Sequence, residues 1–185
     1  GDGHLETQNR GRTYRLKMEH SVKQKEYVEW LYEQFKDLVR TPPRMKTKRL
    51  GEKEHASYSF ATYSLASFRF CAQQFYVRGK KVIPKLIRKL LDPIALAVWF
   101  MDDGSFKSVR HNTYIIHALG YDKKDLEAVR RVLQEKFGIS VVLHKQYGRW
   151  RIYVMSDSAD TFRELIGPYV VPSLKYKLGN IVPKE

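Results

Sequence analysis

The run Pro93-Ile94-Ala95-Leu96-Ala97-Val98-Trp99-Phe100-Met101 is apolar without a break and ends in Asp102-Asp103-Gly104. Asp92 suits a helix N-cap and Pro93 the first helical position, so a short helix is predicted from there to near Gly104. A helix apolar on every side has to be buried. Its C-terminus is the negative end of the macrodipole, where carboxylates are disfavoured. The sequence therefore predicts a helix driven into the interior with its acidic end held beside a cation. An Asp-Asp-Gly triplet is also an ordinary turn signal, in which the acids merely cap or solvate a helix end.

At 185 residues the chain can hold one core or two small fused halves. Its 34 Lys and Arg outnumber 20 Asp and Glu, giving a formal charge of +14. Such an excess favours a polyanionic partner, nucleic acid or an acidic membrane. No apolar run approaches the roughly 20 residues of a spanning helix, and no secretory leader is visible, so a membrane role is not expected. The single cysteine, Cys71, excludes an intrachain disulfide and a cysteine-based zinc cluster, and is expected as a small buried hydrophobe. His4, His20, His55, His111, His117 and His144 lack tight HxH or HxxxH spacing, which argues against zinc and assigns them to surface or core. The absence of a Gly-rich phosphate loop argues against nucleotide-dependent chemistry.

The second half of the sequence echoes the first. Gly1-Asp2-Gly3 answers Asp102-Asp103-Gly104, Thr13-Tyr14 answers Thr113-Tyr114, and the helical run 23–35 answers 124–137. Lys80-Lys81-Val82-Ile83-Pro84 is echoed by Tyr169-Val170-Val171-Pro172. Two pseudo-equivalent halves are predicted, 1–90 and 91–185, each reading as acidic helix end, a strand, a second strand or a loop, amphipathic helix, two strands and a helix. This is an α+β fold. In 13–19, Arg15, Lys17 and Glu19 share one strand face with Thr13, while Tyr14, Leu16 and Met18 share the other. In 148–154, Arg149, Arg151 and Tyr153 alternate with Trp150, Ile152 and Val154 in the same way. Arg44, Lys46 and Lys48 alternate with Met45 and Thr47, although the preceding Pro42-Pro43 makes a loop an equal reading. Helical stripes at Tyr27, Trp30, Leu31 and Phe35, and at Leu126, Val129, Val132, Leu133 and Phe137, would cover the apolar strand faces.

Two carboxylates brought together by a pseudo-two-fold repel unless one is protonated or a cation neutralises them. Hard oxygen donors of this kind suit Mg²⁺, or Mn²⁺, which can assist phosphodiester hydrolysis. Asp2 and Asp103 each directly precede a glycine, so Asp103 rather than Asp102 is the expected ligand.

Leu96 to Gly104, LAVWFMDDG, resembles the LAGLIDADG signature, with Asp103 at its final acidic position and Ala97 at its small packing position. Gly1-Asp2-Gly3 resembles the end of a first copy whose helix is missing upstream, as if the chain were a piece of a longer protein. The chain is similar to the two-motif, monomeric, intron-encoded branch of LAGLIDADG homing endonucleases. That resemblance implies a pseudo-two-fold pair of αββαββα halves whose antiparallel sheets form a DNA-binding saddle with central motif helices. It also implies a double-stranded DNA partner, divalent metal at Asp2 and Asp103, and cleavage of one strand by each half. By motif context it places a catalytic lysine at Lys81 and another at Lys177, suited to polarise water or counter phosphate charge; either is also readable as a solvated surface lysine. Arg15, Lys17, Arg149, Arg151 and Tyr153 are candidate base readers, unless they are ordinary strand decoration, and Lys46 and Lys48 on the basic strand are candidate DNA contacts. Glu19 would accept from cytosine. Lys107 and Arg110, after the second motif, are expected to contact phosphates. The alternative function is a maturase of the same fold that binds intron RNA without cutting. Mitochondrion, chloroplast or prokaryotic cytoplasm would each suit the composition.

Overall fold

The structure, a computed structural model, describes residues 2–51 and 53–179, so Gly1 of the first motif lies outside it. The described residues divide into one unit over 2–73 and a second from Gln74 onward. Among them no helix is long and apolar enough to cross a membrane.

In the first unit, β1 (His4–Gln8) pairs with β2 (Thr13–Ser21), α1 (Lys25–Phe35) follows, and β3 (Arg44–Leu50) and β4 (Lys53–Ala61) complete the sheet. Its order is β1-β2-β4-β3, antiparallel throughout. Alternation places Met18 and His20 of β2 and Phe60 of β4 inside, against Tyr27, Val28 and Leu31 of α1. Trp30 and Phe35, expected in the α1 stripe, are half-buried. The segment after Pro42-Pro43 is a strand rather than a loop, but an edge strand open on both faces, with Met45 62% exposed. Helix α2 (Phe68–Phe75) reaches the point of division and carries Cys71 half-buried, not buried as expected.

The second unit begins with the small hairpin β5 (Tyr76–Val77) and β6 (Lys80–Lys81), then α3 (Ile87–Leu90) and α4 (Pro93–Asp103). After these come β7 (Gly104–Phe106), β8 (Tyr114–Ile116), α5 (Lys123–Phe137), β9 (Val141–Gln146), β10 (Arg149–Val154) and α6 (Ala159–Ile166). A 3₁₀ segment, Pro172–Leu178, closes the described chain. The sheet order β7-β8-β10-β9 repeats that of the first unit. Residues 76–92 pack within the second unit: Arg88 pairs with Glu135, and the Lys136 ammonium caps the Arg88 and Leu91 carbonyls of α3.

Helix α4 forms as predicted. The Asp92 carboxylate accepts the Ala95 N–H at 2.7 Å, and Pro93 opens the first turn. Leu96, Ala97, Trp99, Phe100 and Met101 are buried, and Phe100 meets Tyr114 and Phe162 edge-on. Helix α5 buries Leu126, Val129, Val132 and Leu133 and stops at Gly138, whose left-handed φ of 68° lets its N–H return to the Leu133 and Gln134 carbonyls.

The two sheets correct one detail of the repeat. Leu5 pairs with Leu16 in the first unit and Phe106 with Tyr114 in the second. Taking Asp2 as the counterpart of Asp103, the residue matching Tyr114 is therefore Leu16, two positions beyond Tyr14. A two-residue slip leaves every side chain on the same face, so alternation alone does not reveal it.

Candidate active site

The site in the second unit is set by how α4 ends. Gly104 leaves the helix so close to Phe100 that a Cβ there would lie 2.5 Å from the Phe100 carbonyl oxygen, and only glycine lets the chain pass directly from α4 into β7. Asp102 and Asp103 are thereby held, half-buried, at the junction of helix and strand. A side-chain cation lies at the C-terminus of α4. The Lys177 ammonium donates to the Met101 carbonyl at 2.5 Å and reaches the Asp102 carbonyl at 3.4 Å. It thus offsets the negative end of the helix.

Asp103 lines an open cleft of about 570 Å³ together with Lys80, Lys81, His117 and Tyr121. The hairpin β5–β6 supplies the lysines, and the end of β8 and the loop after it supply His117 and Tyr121. The His117 N–H donates to the Asp103 carbonyl at 2.9 Å, tying the histidine to the acid's backbone. Arg151 Nε donates to His117 Nδ1 at 3.2 Å, and Ser105 Oγ lies 3.2 Å from Nε2. Burial and the adjacent Arg151 charge push the His117 pKa below the usual imidazole value. Because a guanidinium can only donate, Nδ1 is the acceptor, and the neutral ring carries its proton on Nε2, toward Ser105. Burial, and then the Asp103 charge, raise the Tyr121 phenol above its ordinary value. From sequence, His117 is assigned only to surface or core, and Tyr121 carries no local signal. Strand β8 is apolar on both faces, so it offers no alternation from which the direction of His117 can be read.

In the first unit, the Asp2 carboxylate is 54% exposed and lies 3.7 Å from Nδ1 of the buried His20. On the outer sheet face, β4 presents the small residues Ser57, Ser59 and Ala61 between long cations of β2 and β3. The result is a trough of about 360 Å³ lined by Arg15, Lys17, Arg40, Arg44 and Lys46. Arg40 and Arg44 join the predicted residues here; Lys48 is further along β3, paired with His55. Two acids are set among these cations. Glu6 takes the Arg15 Nε–H at 2.5 Å, which lowers its pKa. Glu19 accepts from Lys17 at 2.8 Å and from the Ser57 hydroxyl at 2.8 Å, and these bonds lower its pKa to about 2.

The outer face of the second sheet is less charged. Lys107 and Arg110 are exposed in the β7–β8 loop region, and Arg149 is exposed at the start of β10. Arg151 is half-buried and held by His117 and by the Gln146 carbonyl at 3.2 Å. The Tyr153 ring lies between the Lys107 ammonium, 5.5 Å from its centroid, and the His144 ring at 4.8 Å.

Residues 1–162 match the LAGLIDADG DNA endonuclease family model. The chain is 31% identical, over 97% of its length, to the cytochrome b mRNA maturase bI2 of Saccharomyces cerevisiae, and spans 45% of that protein. It is 33% identical, over 69% of its length, to the intron-encoded endonuclease ai4 of Dictyostelium discoideum, covering 80% of it. Its fold matches the homing endonuclease I-WcaI bound to its DNA recognition sequence, with a TM-score of 0.88 at 24% identity, over 98% of this chain and 82% of that one. The predicted α+β architecture and family resemblance are thus both met, and the chain belongs to the LAGLIDADG DNA endonuclease family.

Proposed function

We propose that the chain acts as a sequence-specific, divalent-metal-dependent DNA endonuclease that hydrolyses phosphodiesters on both strands of a long target. The observation that carries this reading is the cleft at the end of α4, where a carboxylate on a buried helix shares a wall with a lysine. The acids proposed to hold the metal are Asp2 and Asp103, one from each pseudo-equivalent half, 1–90 and 91–185. The donor chemistry fits a hard cation: Asp103 offers carboxylate oxygen in a cleft roomy enough for a hydrated ion, and no cysteine lines it. Mg²⁺ is the proposed ion, with Mn²⁺ able to replace it. When bound, it supplies Lewis-acid polarisation and neutralises charge on the phosphate.

The chain's own side chains do the rest. Lys81 faces the Asp103 cleft, where an ammonium can orient water and counter phosphate charge. Lys177, bonded to the last carbonyls of α4, fixes the helix end that presents Asp103. Arg15, Lys17, Arg149, Arg151 and Tyr153 read base edges, Lys107 and Arg110 grip the phosphate backbone, and Lys46 and Lys48 add further DNA contacts. The protein works as a monomer, since each half supplies one acid and directs one strand.

A second reading, an RNA maturase, is favoured by the 31% identity to the yeast maturase. A library of long duplexes incubated with the protein in Mg²⁺ separates the two. The endonuclease reading predicts that one sequence, or a few related ones, is cut on both strands. Duplex binding without nicking in either Mg²⁺ or Mn²⁺ would overturn it, and preferential binding of a folded intron RNA would favour the maturase.

A further inference from the structure

Resting on the DNA reading above, we infer that His117 is a positioning residue for base recognition: it fixes the Arg151 guanidinium in one orientation and ties it to the backbone of Asp103. Arginine has five N–H donors in a planar fork, but on an exposed strand its stem is free to turn. Here two contacts remove that freedom. His117 Nδ1 takes Nε–H at 3.2 Å, and the Gln146 carbonyl takes an Nη1–H at 3.2 Å. The remaining N–H groups, on Nη1 and Nη2, form the end-on fork that suits guanine O6 and N7. Pre-ordering the side chain lowers the entropy lost on binding.

The histidine is itself braced. Its Nε2 meets Ser105 Oγ at 3.2 Å, and its N–H donates to the Asp103 carbonyl at 2.9 Å. Those contacts come from β7 and from the end of α4, so the base-reading arginine and the acid share one scaffold. The base pair that Arg151 reads therefore lies next to the cleavage position rather than at an outer end of the target. His117 touches no base in this account and acts only through Arg151.

The test is a base-preference profile of the full chain, measured by binding a randomised duplex library without divalent metal, with thermal melts as a folding control. Arg151→Ala should flatten a guanine preference at one central position by roughly tenfold. His117→Ala should flatten the same position, and the double variant should add nothing further. His117→Asn places an amide oxygen near the position of Nδ1 and should retain the preference. His117→Gln reaches only the position of Nε2 and should lose it. If His117→Ala fails to fold, the contrast between Asn and Gln decides. An unchanged His117→Ala profile, losses at positions that Arg151→Ala does not affect, or an Asn variant as flat as Gln would each overturn the inference. If the wild type prefers certain sequences while the His117 variants do not differ from it, only this inference fails. If the wild type shows no preference at all, the DNA reading fails with it.

Discussion

Glu19 sits on a face crowded with cations, and Lys17 and Ser57 occupy both of its oxygens. Those bonds hold its pKa at about 2 rather than the ordinary 4.5. A carboxylate whose pKa is depressed in the folded state adds stability above its unfolded value, and that contribution is lost as pH falls through the folded one. Wild type should therefore exceed Glu19→Gln in unfolding free energy above about pH 4.5, with the gap closing as the pH approaches about 2. Denaturant melts of both proteins across that window check this, and a gap independent of pH would contradict it. The alternation of 13–19 made the charged face legible from sequence. The bond from Ser57, on a strand 38 residues away, was not, because strand pairing is a tertiary fact. His117 was hidden for a related reason: its direction depends on pairing within an apolar strand, not on a local pattern.

The helix α4 was the most legible element, since its N-cap, its initial proline and its terminal glycine are all local signals. What neutralises its acidic end was not legible. Lys177 comes from a 3₁₀ segment 76 residues beyond Met101. A charged hydrogen bond to helix-terminal carbonyls in a partly buried site contributes about 1–2 kcal/mol. Lys177→Met should lower unfolding free energy by about that amount, and Lys177→Arg should recover part of it. Equilibrium urea unfolding measures both. An unchanged stability for Lys177→Met would mean that the contact does not hold the helix end. The strand β3 shows the opposite case: the two prolines before it make a loop an equal reading, yet the segment pairs as a strand, open on both faces.

At the scale of the whole molecule, the internal repeat was the clue that turned one helix into an architecture, and both units carry the same strand order. Its register was two residues off along β2, a slip the side-chain pattern tolerates because it preserves faces. The two outer sheet faces have diverged in chemistry. The first is a basic trough floored by small residues, and the second combines Arg149, Arg151, Lys107 and an aromatic pair. This asymmetry predicts a target whose two halves differ in sequence. Above all, cleavage is proposed to depend on Asp103, delivered by a buried helix to a lysine-lined cleft. It is tested most directly by comparing wild type with Asp103→Asn, side by side, for binding and for cleavage of the selected duplex in Mg²⁺. Asp103→Asn should still bind the duplex, while its cleavage rate falls by at least about 100-fold. Cleavage by Asp103→Asn at the wild-type rate would contradict it.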